Sequence, residues 1–460
     1  MSTQRYHPSC TEDALIWYGL VYTYPVYMFG GLYVTGSILG WLLLLVVLLR
    51  WYIHGKPQNL FIPALVWLWI VAMSVMLIAL WIGHGNWSLG MAKTIKSSIG
   101  WAKGWALLAV FPLLGAIVPI RPEVITRGVC IIAVHTLIFS FITFIAYLGR
   151  IPGELYISPL QVVGGPGENF FKVSLYGLNP ETGGGRWQFF GPWAPAAGFL
   201  SCIYLIFCLQ EKNPKWRNWG VAGCVAMILL SQSRAGLGIF IMLFPLVLFS
   251  DKIKEPWMLI TLGIVLPILL LLGEPVYEFV MNSYQEIKEQ RPGSTRVRSA
   301  LANIAMQRWE AEAPIWGHGV VERGPKLVEG MPIGSHHSWY GLLFVKGLVG
   351  LFSLAIPLFI SAIYLLWQAQ FSEIARSGLC MIAVFVCYSF FENLEILSYL
   401  YWPALLWLGM AFNPHTAQQK IITFEEVQSQ KEKKRPINTK KRTRRKKQTG
   451  NGEIFTLIPH

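Results

Sequence analysis

Long apolar runs separated by short polar connections make up most of the chain. A helix needs about 20 apolar residues to cross the hydrocarbon core of a bilayer. Lipid offers unpaired backbone groups no hydrogen-bond partner, so such runs are predicted to be helices. The pattern therefore predicts an all-α, polytopic transmembrane bundle of about 10–12 spans, with runs near 28–49, 61–82, 104–120, 128–148, 191–209, 219–232, 235–250, 257–273, 339–366, 377–393 and 396–412.

Three segments between or before these runs have their own patterns. Residues 14–27, with Pro25 among them, are too short for a further span, so we expect them to lie in the membrane interface or to lengthen the first helix. The connections at 150–187 and 274–338 are the ones with room for a folded site outside the membrane. Apolar residues recur every three or four positions across Arg296–Trp309, which predicts a helix within the second connection.

Composition supports the membrane interpretation. Hydrophobic residues make up 54% of the 460 residues and charged residues 13%, against roughly 25% charged residues in soluble domains. Twenty tryptophans suit a protein that places aromatic rings at two lipid–water interfaces. The seven cysteines show no CxxC spacing, so we interpret them as small buried hydrophobic residues.

The net charge of +14 comes mostly from the C-terminal tail. Residues Lys431 to Lys447 contain eleven Lys or Arg and one Glu, a local charge of +10. The positive-inside bias places this tail in the cytoplasm, and parity then puts the short basic connections near 50–56, 121–127, 212–217 and 251–254 on the same side. We therefore predict a transmembrane domain over 1–412, followed by a basic, disordered cytoplasmic tail over 413–460. The tail lacks the interleaved aromatic residues of single-stranded nucleic-acid sites, so no nucleic-acid partner is expected.

Cations on the outward side run against this bias. The outward connections and the turn at 231–234 carry Arg186, Arg234, Lys288, Arg291, Arg296, Arg298, Arg308, Arg323 and Lys326. Arg234 stands between two apolar runs, where a charge costs several kcal/mol unless it is compensated. It either extends its charged end to the interface at a helix end or binds an anion delivered from the outer side. Guanidinium suits phosphate because its planar fork makes two parallel hydrogen bonds and stays charged.

Two adjacent histidines end the large outward connection. His336 and His337 precede the helix that begins near Trp339, and they either lie at the interface or accept a proton from a sugar hydroxyl near pH 7. His318 is the one other nearby candidate for a metal ligand and HExxH is absent, so neither a metal nor a cofactor is predicted.

Three segments in order resemble one family. Residues 186–195 (Arg-Trp-Gln-Phe-Phe-Gly-Pro-Trp-Ala-Pro) are similar to its R-x-x-G-x-x-x-x-P-N element, and Ser-Arg-Ala-Gly at 233–236 is similar to its SR(A/G)G signature. Gly-His-Gly at 317–319, Ser-His-His-Ser-Trp-Tyr at 335–340 and Gly-Leu-Val-Gly at 347–350 resemble its GxG, HNxYL and GxxG pattern. The family is the O-antigen ligase and O-antigen polymerase superfamily of bacterial membrane glycosyltransferases. The resemblance covers residues 185–350, and Ala196 stands where the family has asparagine.

The resemblance implies a GT-C-like fold, a location in the bacterial inner membrane with the active site facing the periplasm, and a role for each matched residue. Such enzymes transfer a glycan from undecaprenyl pyrophosphate to an acceptor sugar, which is a lipid A-core in a ligase and another lipid-linked glycan in a polymerase. Carried over by position, Arg234 and Arg186 hold the pyrophosphate, and the family's loop arginine maps onto Arg296 or Arg298, with Arg296 favoured. Alignment on Gly347 places His336 on the family histidine and His337 on its asparagine. His337 and Arg308 are further substrate-binding candidates, and either histidine is open as the functional one.

The implied mechanism needs no metal. Arginines stabilise the charge that grows on the leaving oxygen, His336 orients or deprotonates the attacking hydroxyl, and direct displacement inverts the anomeric centre.

Two other classes of function remain open from the residues. A transporter of anions or lipid-linked sugars is consistent with many spans and with charged positions such as Glu392, which would then relay protons or else pair with a neighbouring helix. The absence of a visible repeat pair speaks against it. A scaffold that uses the basic tail is the third alternative. Ligase-like transfer is our preferred function and polymerase the first alternative.

Overall fold

The computed structural model describes residues 10–57, 60–179, 182–250, 252, 255, 292–328, 330–334 and 337–413. The predicted span near 257–273, His336 and the basic tail beyond Asn413 lie outside these residues.

The described residues are mainly helical. They form α1 (Thr11–Val21), α2 (Thr23–Met28), α3 (Leu32–His54), α4 (Ala64–Asn86), α5 (Met91–Lys103), α6 (Leu107–Ile117), α7 (Pro122–Leu148), α8 (Ala194–Gln210), α9 (Pro214–Ser231), α10 (Arg234–Phe249), α11 (Pro292–Glu312), α12 (Ser338–Gln368), α13 (Glu373–Ser389) and α14 (Leu394–Phe412). Short 3-10 helices cover Pro159–Val163, Glu168–Phe170 and Lys326–Val328.

Small antiparallel sheets occur in the two long connections. The strands are β1 (Glu154–Ile157), β2 (Lys172–Ser174), β3 (Gly177–Leu178), β4 (Gly185–Arg186), β5 (Glu322–Arg323) and β6 (Pro332–Ile333). They pair as β1 with β2, β3 with β4 and β5 with β6. Each long connection is thus partly structured, and α11 confirms the helix predicted over 296–309.

Length and composition confirm an all-α polytopic bundle. Six helical stretches of the described chain are long and apolar enough to cross a membrane: Leu32–His54, Ala64–Asn86, Met91–Ile117, Pro122–Leu148, Ser338–Gln368 and Leu394–Phe412. Ala194–Gln210 and Arg234–Val247 are shorter apolar helices. Whether the total reaches 10–12 spans stays a prediction.

The centre of the bundle is formed by α8 and α14. Both are apolar around their whole circumference, which is the pattern of a helix surrounded by other helices. In α14, 89% of the most apolar window is buried, against 39–44% for α3, α4, α7 and α12. Its Gly409 lies so close to α6 that an added Cβ would be 2.0 Å from the carbonyl oxygen of Pro112. The less buried helices expose apolar side chains outward, as lipid-facing helices do.

Two predicted elements differ from the structure. Residues 14–27 do not lengthen α3, and their place in the membrane interface stays a prediction. They form α1 and α2, which bury Ile16, Leu20 and Tyr24 against the bundle. The predicted span at 104–120 is instead a helix that begins at Leu107, preceded by the separate helix α5, and the chain turns sharply at Gly104 between them.

Ion pairs join several helix ends at one end of the bundle. Arg127 makes two hydrogen bonds to Glu211, with Nη2–Oε1 at 2.8 Å and Nε–Oε2 at 3.0 Å. Three further pairs link Arg50 to Glu12 at 2.7 Å, Arg121 to Asp13 at 2.9 Å and Lys212 to Glu123 at 3.0 Å. The basic connections near 50–56, 121–127 and 212–217, which the charge pattern assigns to the cytoplasm, are therefore at the same end of the bundle. The candidate functional residues lie at the opposite helix ends.

Candidate functional site

The segment that carries Arg186 is hydrogen-bonded to the end of α9. The Trp187 backbone N–H donates to the Leu230 carbonyl at 3.1 Å, and Arg186 Nε donates to the Ser231 carbonyl at 3.1 Å. Gln232 Nε2 completes the connection by donating to the Gly185 carbonyl at 3.0 Å. Three hydrogen bonds therefore hold β4 beside the turn that leads to Arg234, so the first two predicted arginines lie on neighbouring segments.

The Ser-Arg-Ala-Gly signature is the sharp turn from α9 into α10. Gln232 adopts the left-handed conformation, with φ of 50°, and Ser233 Oγ then accepts a hydrogen bond from the Gly236 N–H at 3.2 Å to cap α10. Gly236 must be small because an added Cβ would be 2.5 Å from the Tyr388 hydroxyl. Arg234 is the first residue of α10 and is exposed. A cation at the positive end of a helix dipole is an arrangement that a bound anion stabilises.

The buried carboxylate of Glu392 joins four parts of this end of the bundle. Glu392 lies in the turn between α13 and α14, and its side chain is 6% exposed. Oε2 accepts a hydrogen bond from Trp193 Nε1 at 2.9 Å, and Arg298 Nη2 of α11 is 3.9 Å from Oε1. The Glu392 carbonyl accepts from Ser338 Oγ, at the start of α12, at 2.6 Å. Segments from two of the three sequence motifs, together with the helix that carries Arg298, therefore meet at one residue.

Burial raises the pKa of Glu392 to about 7, against the opposing effects of the Arg298 charge, the Trp193 hydrogen bond and the Arg186 charge. Desolvation thus outweighs the nearby cations. The carboxyl group is consequently part ionised and part protonated near neutral pH.

His337 caps α12 through its ring. Its Nδ1 accepts hydrogen bonds from the backbone N–H groups of Trp339 at 3.2 Å and Tyr340 at 3.3 Å, and the ring stacks on Tyr340 with centroids 4.2 Å apart. Burial, and secondarily the charge of Arg298, lower the pKa of His337 to about 4. At neutral pH the ring is therefore uncharged and carries its proton on Nε2. His336 lies outside the described residues.

The two glycine motifs are one backbone contact between a loop and α12. The His318 N–H donates to the Phe344 carbonyl and the Gly319 N–H to the Val345 carbonyl, both at 2.8 Å. Gly347 interrupts the helix with φ of 63° and ψ of −161°, and an added Cβ there would be 2.2 Å from the Ile315 carbonyl oxygen. The GxG and GxxG patterns therefore keep the loop against the helix that His337 caps.

Arg308 belongs to a separate ionic cluster. Its guanidinium makes hydrogen bonds to Glu312 at 2.8–3.1 Å and to Glu322 at 2.6 Å, and His318 Nε2 lies 2.8 Å from Glu312 Oε2. These contacts raise the pKa of Arg308 and lower that of Glu312 to about 2. The described contacts give Arg308 a role in holding α11 to β5, and its substrate-binding role stays a prediction.

The structure thus brings together Arg186, Arg234 and Arg298 at one end of the bundle, with His337 beside them. Arg296 is exposed on α11, whereas Arg298 reaches Glu392. Sequence reasoning assigned Glu392 only to the transporter alternative and did not single out Trp193 or Ser338 as site residues. The signal for Glu392 was its carboxylate at the outward end of an apolar run.

Comparison with known families bears on this arrangement. Residues 219–355 match the model of the family described as O-antigen ligase. No curated protein matches the chain. The matched region includes the Ser-Arg-Ala-Gly turn, α11, His337 and both glycine motifs, so it contains most of the site described above.

Proposed function

We propose that the chain, whose residues 219–355 match the family described as O-antigen ligase, transfers a glycan from undecaprenyl pyrophosphate to the hydroxyl of an acceptor sugar. The preferred acceptor is a lipid A-core, as in a ligase. One observation carries the proposal: the segment bearing Arg186 is hydrogen-bonded to the turn before Arg234, and the same segment meets Arg298 at Glu392 through Trp193.

The arginines suit the donor's diphosphate. A guanidinium makes two parallel hydrogen bonds to phosphate oxygens and remains charged at every relevant pH. As the glycosyl–oxygen bond lengthens, negative charge grows on the leaving oxygen. Cations already in place stabilise that charge more in the transition state than in the ground state. Arg234 at the start of α10 adds its own charge to the helix dipole, so we assign it the largest share of this effect.

The reaction exchanges one C–O bond for another. The acceptor oxygen forms a bond to the anomeric carbon, the bond to the diphosphate oxygen breaks, and undecaprenyl diphosphate leaves with the electron pair. The hydroxyl proton passes to a base, for which we propose His336. Attack opposite the leaving group inverts the anomeric centre. In this proposal the arginines supply the charge neutralisation that a divalent metal provides in other glycosyltransferases.

His337 supports the registration that places His336 on the family histidine. The family has asparagine at the next position, and asparagine is among the best helix-capping residues. His337 Nδ1 accepts the same kind of backbone hydrogen bonds at the start of α12. With Nδ1 occupied and its pKa at about 4, His337 is a poor proton acceptor at neutral pH.

The direct test is transfer by purified arginine variants, with a lipid-linked glycan as donor and lipid A-core as acceptor. We expect Arg234→Ala to lower transfer by about 100- to 1,000-fold, the loss typical of one transition-state donor. Arg234→Lys should be nearly as impaired because an ammonium lacks the planar fork. The matched control is Arg217→Ala, which removes an exposed arginine from the opposite end of α9. Equal activity of Arg234→Ala and Arg217→Ala would exclude the assignment.

The histidines are separated by a second pair of variants. His336→Ala should abolish transfer, whereas His337→Asn should retain it because the cap is kept. Loss of transfer in His337→Asn with normal activity in His336→Ala would shift the registration by one residue.

Polymerisation of lipid-linked repeats is the alternative that uses the same diphosphate site with another acceptor. The glycan pattern of a deletion strain distinguishes the two reactions. Undecorated lipid A-core indicates loss of a ligase, and caps of a single repeat indicate loss of a polymerase.

A further inference from the structure

Glu392 places a negative charge inside the cationic cluster that the proposed function assigns to diphosphate. The residue is held on three sides: Trp193 binds its Oε2, Ser338 binds its carbonyl oxygen, and α14 begins two residues later. The Leu394 N–H also donates to Ser338 Oγ at 3.1 Å. The Trp193 hydrogen bond holds the carboxylate and the Ser338 contacts hold the backbone beside it, so we expect the carboxylate to stay in place when a ligand enters.

The partner of this carboxylate is held much less tightly. Arg298 Nη2 lies 3.9 Å from Glu392 Oε1, which is within ion-pair range but beyond hydrogen-bond length. The Arg298 side chain is 46% exposed, whereas that of Glu392 is 6% exposed. A fixed anion therefore faces a cation that is free to turn about its long side chain toward a second anion.

We propose that Glu392 is a positioning residue that keeps Arg298 at the site when no diphosphate is bound and then weakens the binding of diphosphate by charge repulsion. The inference rests on the proposed function. Its consequence is that Arg298 is in place when the donor arrives, and that the undecaprenyl diphosphate product is released more readily than from a purely cationic site.

The size of the effect follows from Coulomb's law. Two unit charges about 6 Å apart in a medium with an effective dielectric constant near 20 interact strongly enough to change a dissociation constant by about tenfold to a hundredfold. Exposure of Arg298 to solvent screens part of this interaction. We therefore expect removal of the Glu392 charge to tighten diphosphate binding by about tenfold.

Protonation of Glu392 should cancel this repulsion. The charged and titratable groups that act on the carboxyl are Arg298 on α11, Arg186 on β4 and Tyr388 on α13. A guanidinium stays charged and an ordinary phenol stays neutral across this range. Among these groups, Glu392, whose pKa lies at about 7, is therefore the one whose charge changes between pH 8 and pH 5.5.

The test measures binding of inorganic pyrophosphate to the full chain by isothermal titration calorimetry in lipid nanodiscs. We expect Glu392→Gln to bind pyrophosphate about tenfold more tightly than the wild-type protein at pH 8, and with equal affinity at pH 5.5. Pyrophosphate itself changes its protonation over this pH range, but that effect cancels when the affinities of the variant and the wild-type protein are compared at the same pH. Glu392→Asp, which retains the charge, should keep the wild-type pH dependence and stay within about threefold of wild-type affinity.

A matched control and two further outcomes complete the experiment. Glu373→Gln, in the first turn of α13 at the other end of that helix, should leave pyrophosphate affinity unchanged at both pH values. Equal or weaker binding by Glu392→Gln at pH 8, in a protein with unchanged unfolding temperature, would overturn the inference. If Glu392→Gln lost more than a hundredfold of its transfer activity with unchanged pyrophosphate affinity, the inference would also be overturned, because Glu392 would then be the proton acceptor.

The proposed function fails in a distinguishable way. If Arg298→Gln and Arg234→Ala bind pyrophosphate as the wild-type protein does, no diphosphate site exists at this end of the bundle. If those variants lose binding while Glu392→Gln leaves it unchanged, the diphosphate site stands and only the role of Glu392 is wrong.

Discussion

At the scale of single residues, His337 shows how one chemical group can replace another without a change in geometry. Asparagine caps a helix with its side-chain oxygen, and the ring nitrogen Nδ1 of His337 accepts the equivalent backbone hydrogen bonds at the start of α12. The replacement has a cost that asparagine does not carry. A cap that must stay unprotonated is sensitive to acid.

We predict that His337→Asn makes the protein less sensitive to acid. The pKa of His337 is lowered to about 4 in the folded protein, whereas an ordinary histidine has a pKa of about 6.5. Between these two pH values, His337 is therefore protonated in the unfolded chain but not in the folded protein. The wild-type protein should therefore lose about 1–2 kcal/mol of stability from this residue between pH 7 and pH 5. Unfolding temperatures measured across this range should fall less for His337→Asn, and parallel curves for the two proteins would contradict the prediction.

Glu392 marks the limit of prediction from single residues. Its position in the sequence indicated a carboxylate near the membrane surface but not its partners, which come from positions 193, 298 and 338. Arg234 was predictable because a cation between apolar runs is unfavourable unless it is compensated, and the other arginines because they lie on the outward side against the positive-inside bias. A carboxylate at a helix end is ordinary until the fold places cations beside it.

At the scale of elements, the contact between the 315–319 loop and α12 depends on the absence of a side chain at Gly347. We predict that Gly347→Ala destabilises the protein by about 3 kcal/mol or more, because it combines a backbone conformation that L residues rarely adopt with a direct clash against the Ile315 carbonyl. The measurement is thermal unfolding in detergent. Gly238→Ala is the control, since no atom lies within 4 Å of the added Cβ. A similar unfolding temperature for both variants would show that the 315–319 loop moves away to accommodate the added methyl group.

Helix α5 was not predicted as a separate element, because it lies outside the apolar runs from which the spans were predicted. None of its residues is buried, and Met91, Ile95 and Ile99 form an exposed stripe at a spacing of four, with exposures of 76%, 54% and 50%. Another face packs on α4, where Trp81 Nε1 donates to Ser98 Oγ at 3.0 Å. Separate apolar and charged faces are typical of a helix that lies in the membrane interface.

We predict that the apolar stripe of α5 contacts lipid while Lys93 and Lys96 face the headgroups and water. Spin labels at Ile95 and Ile99, in full-length protein in liposomes, should be more accessible to oxygen than to a soluble nickel complex. Labels at Lys93 and Lys96 should show the reverse order. Equal accessibilities on the two faces would mean that α5 lies outside the membrane interface.

Most helices could be predicted from the apolar runs, but the breaks between helices could not. The break at Gly104 and the separate helices α1 and α2 occur inside stretches of similar hydropathy. Helix boundaries there depend on tertiary contacts, such as the burial of Ile16 and Leu20, which the local pattern does not encode.

At the scale of the whole molecule, the two ends of the bundle differ in how their charges are arranged. One end joins Arg127 to Glu211 through two hydrogen bonds, with further ion pairs around it. The other places Arg298 and Arg186 near the buried carboxylate of Glu392. Positive charge on cytoplasmic connections is the usual bias, so the first end is predicted to face the cytoplasm and the candidate site the periplasm.

Orientation is tested with a thiol reagent that does not cross membranes, in a background in which the two half-buried cysteines, Cys10 and Cys387, are replaced by serine. We expect Val162→Cys, at a position 94% exposed in the first long connection, to react in intact spheroplasts. Lys56→Cys, exposed at the other end, should react only after permeabilisation. The opposite pattern would place the candidate site in the cytoplasm.

The burial of α14 has a consequence for how the protein is made. This helix is the last one of the described chain, yet it occupies the middle of the bundle and contacts α6 through the backbone at Gly409. A chain emerging from the ribosome must therefore hold its earlier helices in the bilayer around an unfilled centre until residues 394–412 arrive. A stop codon placed just before Leu394 would produce a chain with every preceding helix but without the central helix of the bundle. We expect such a product to be degraded rapidly.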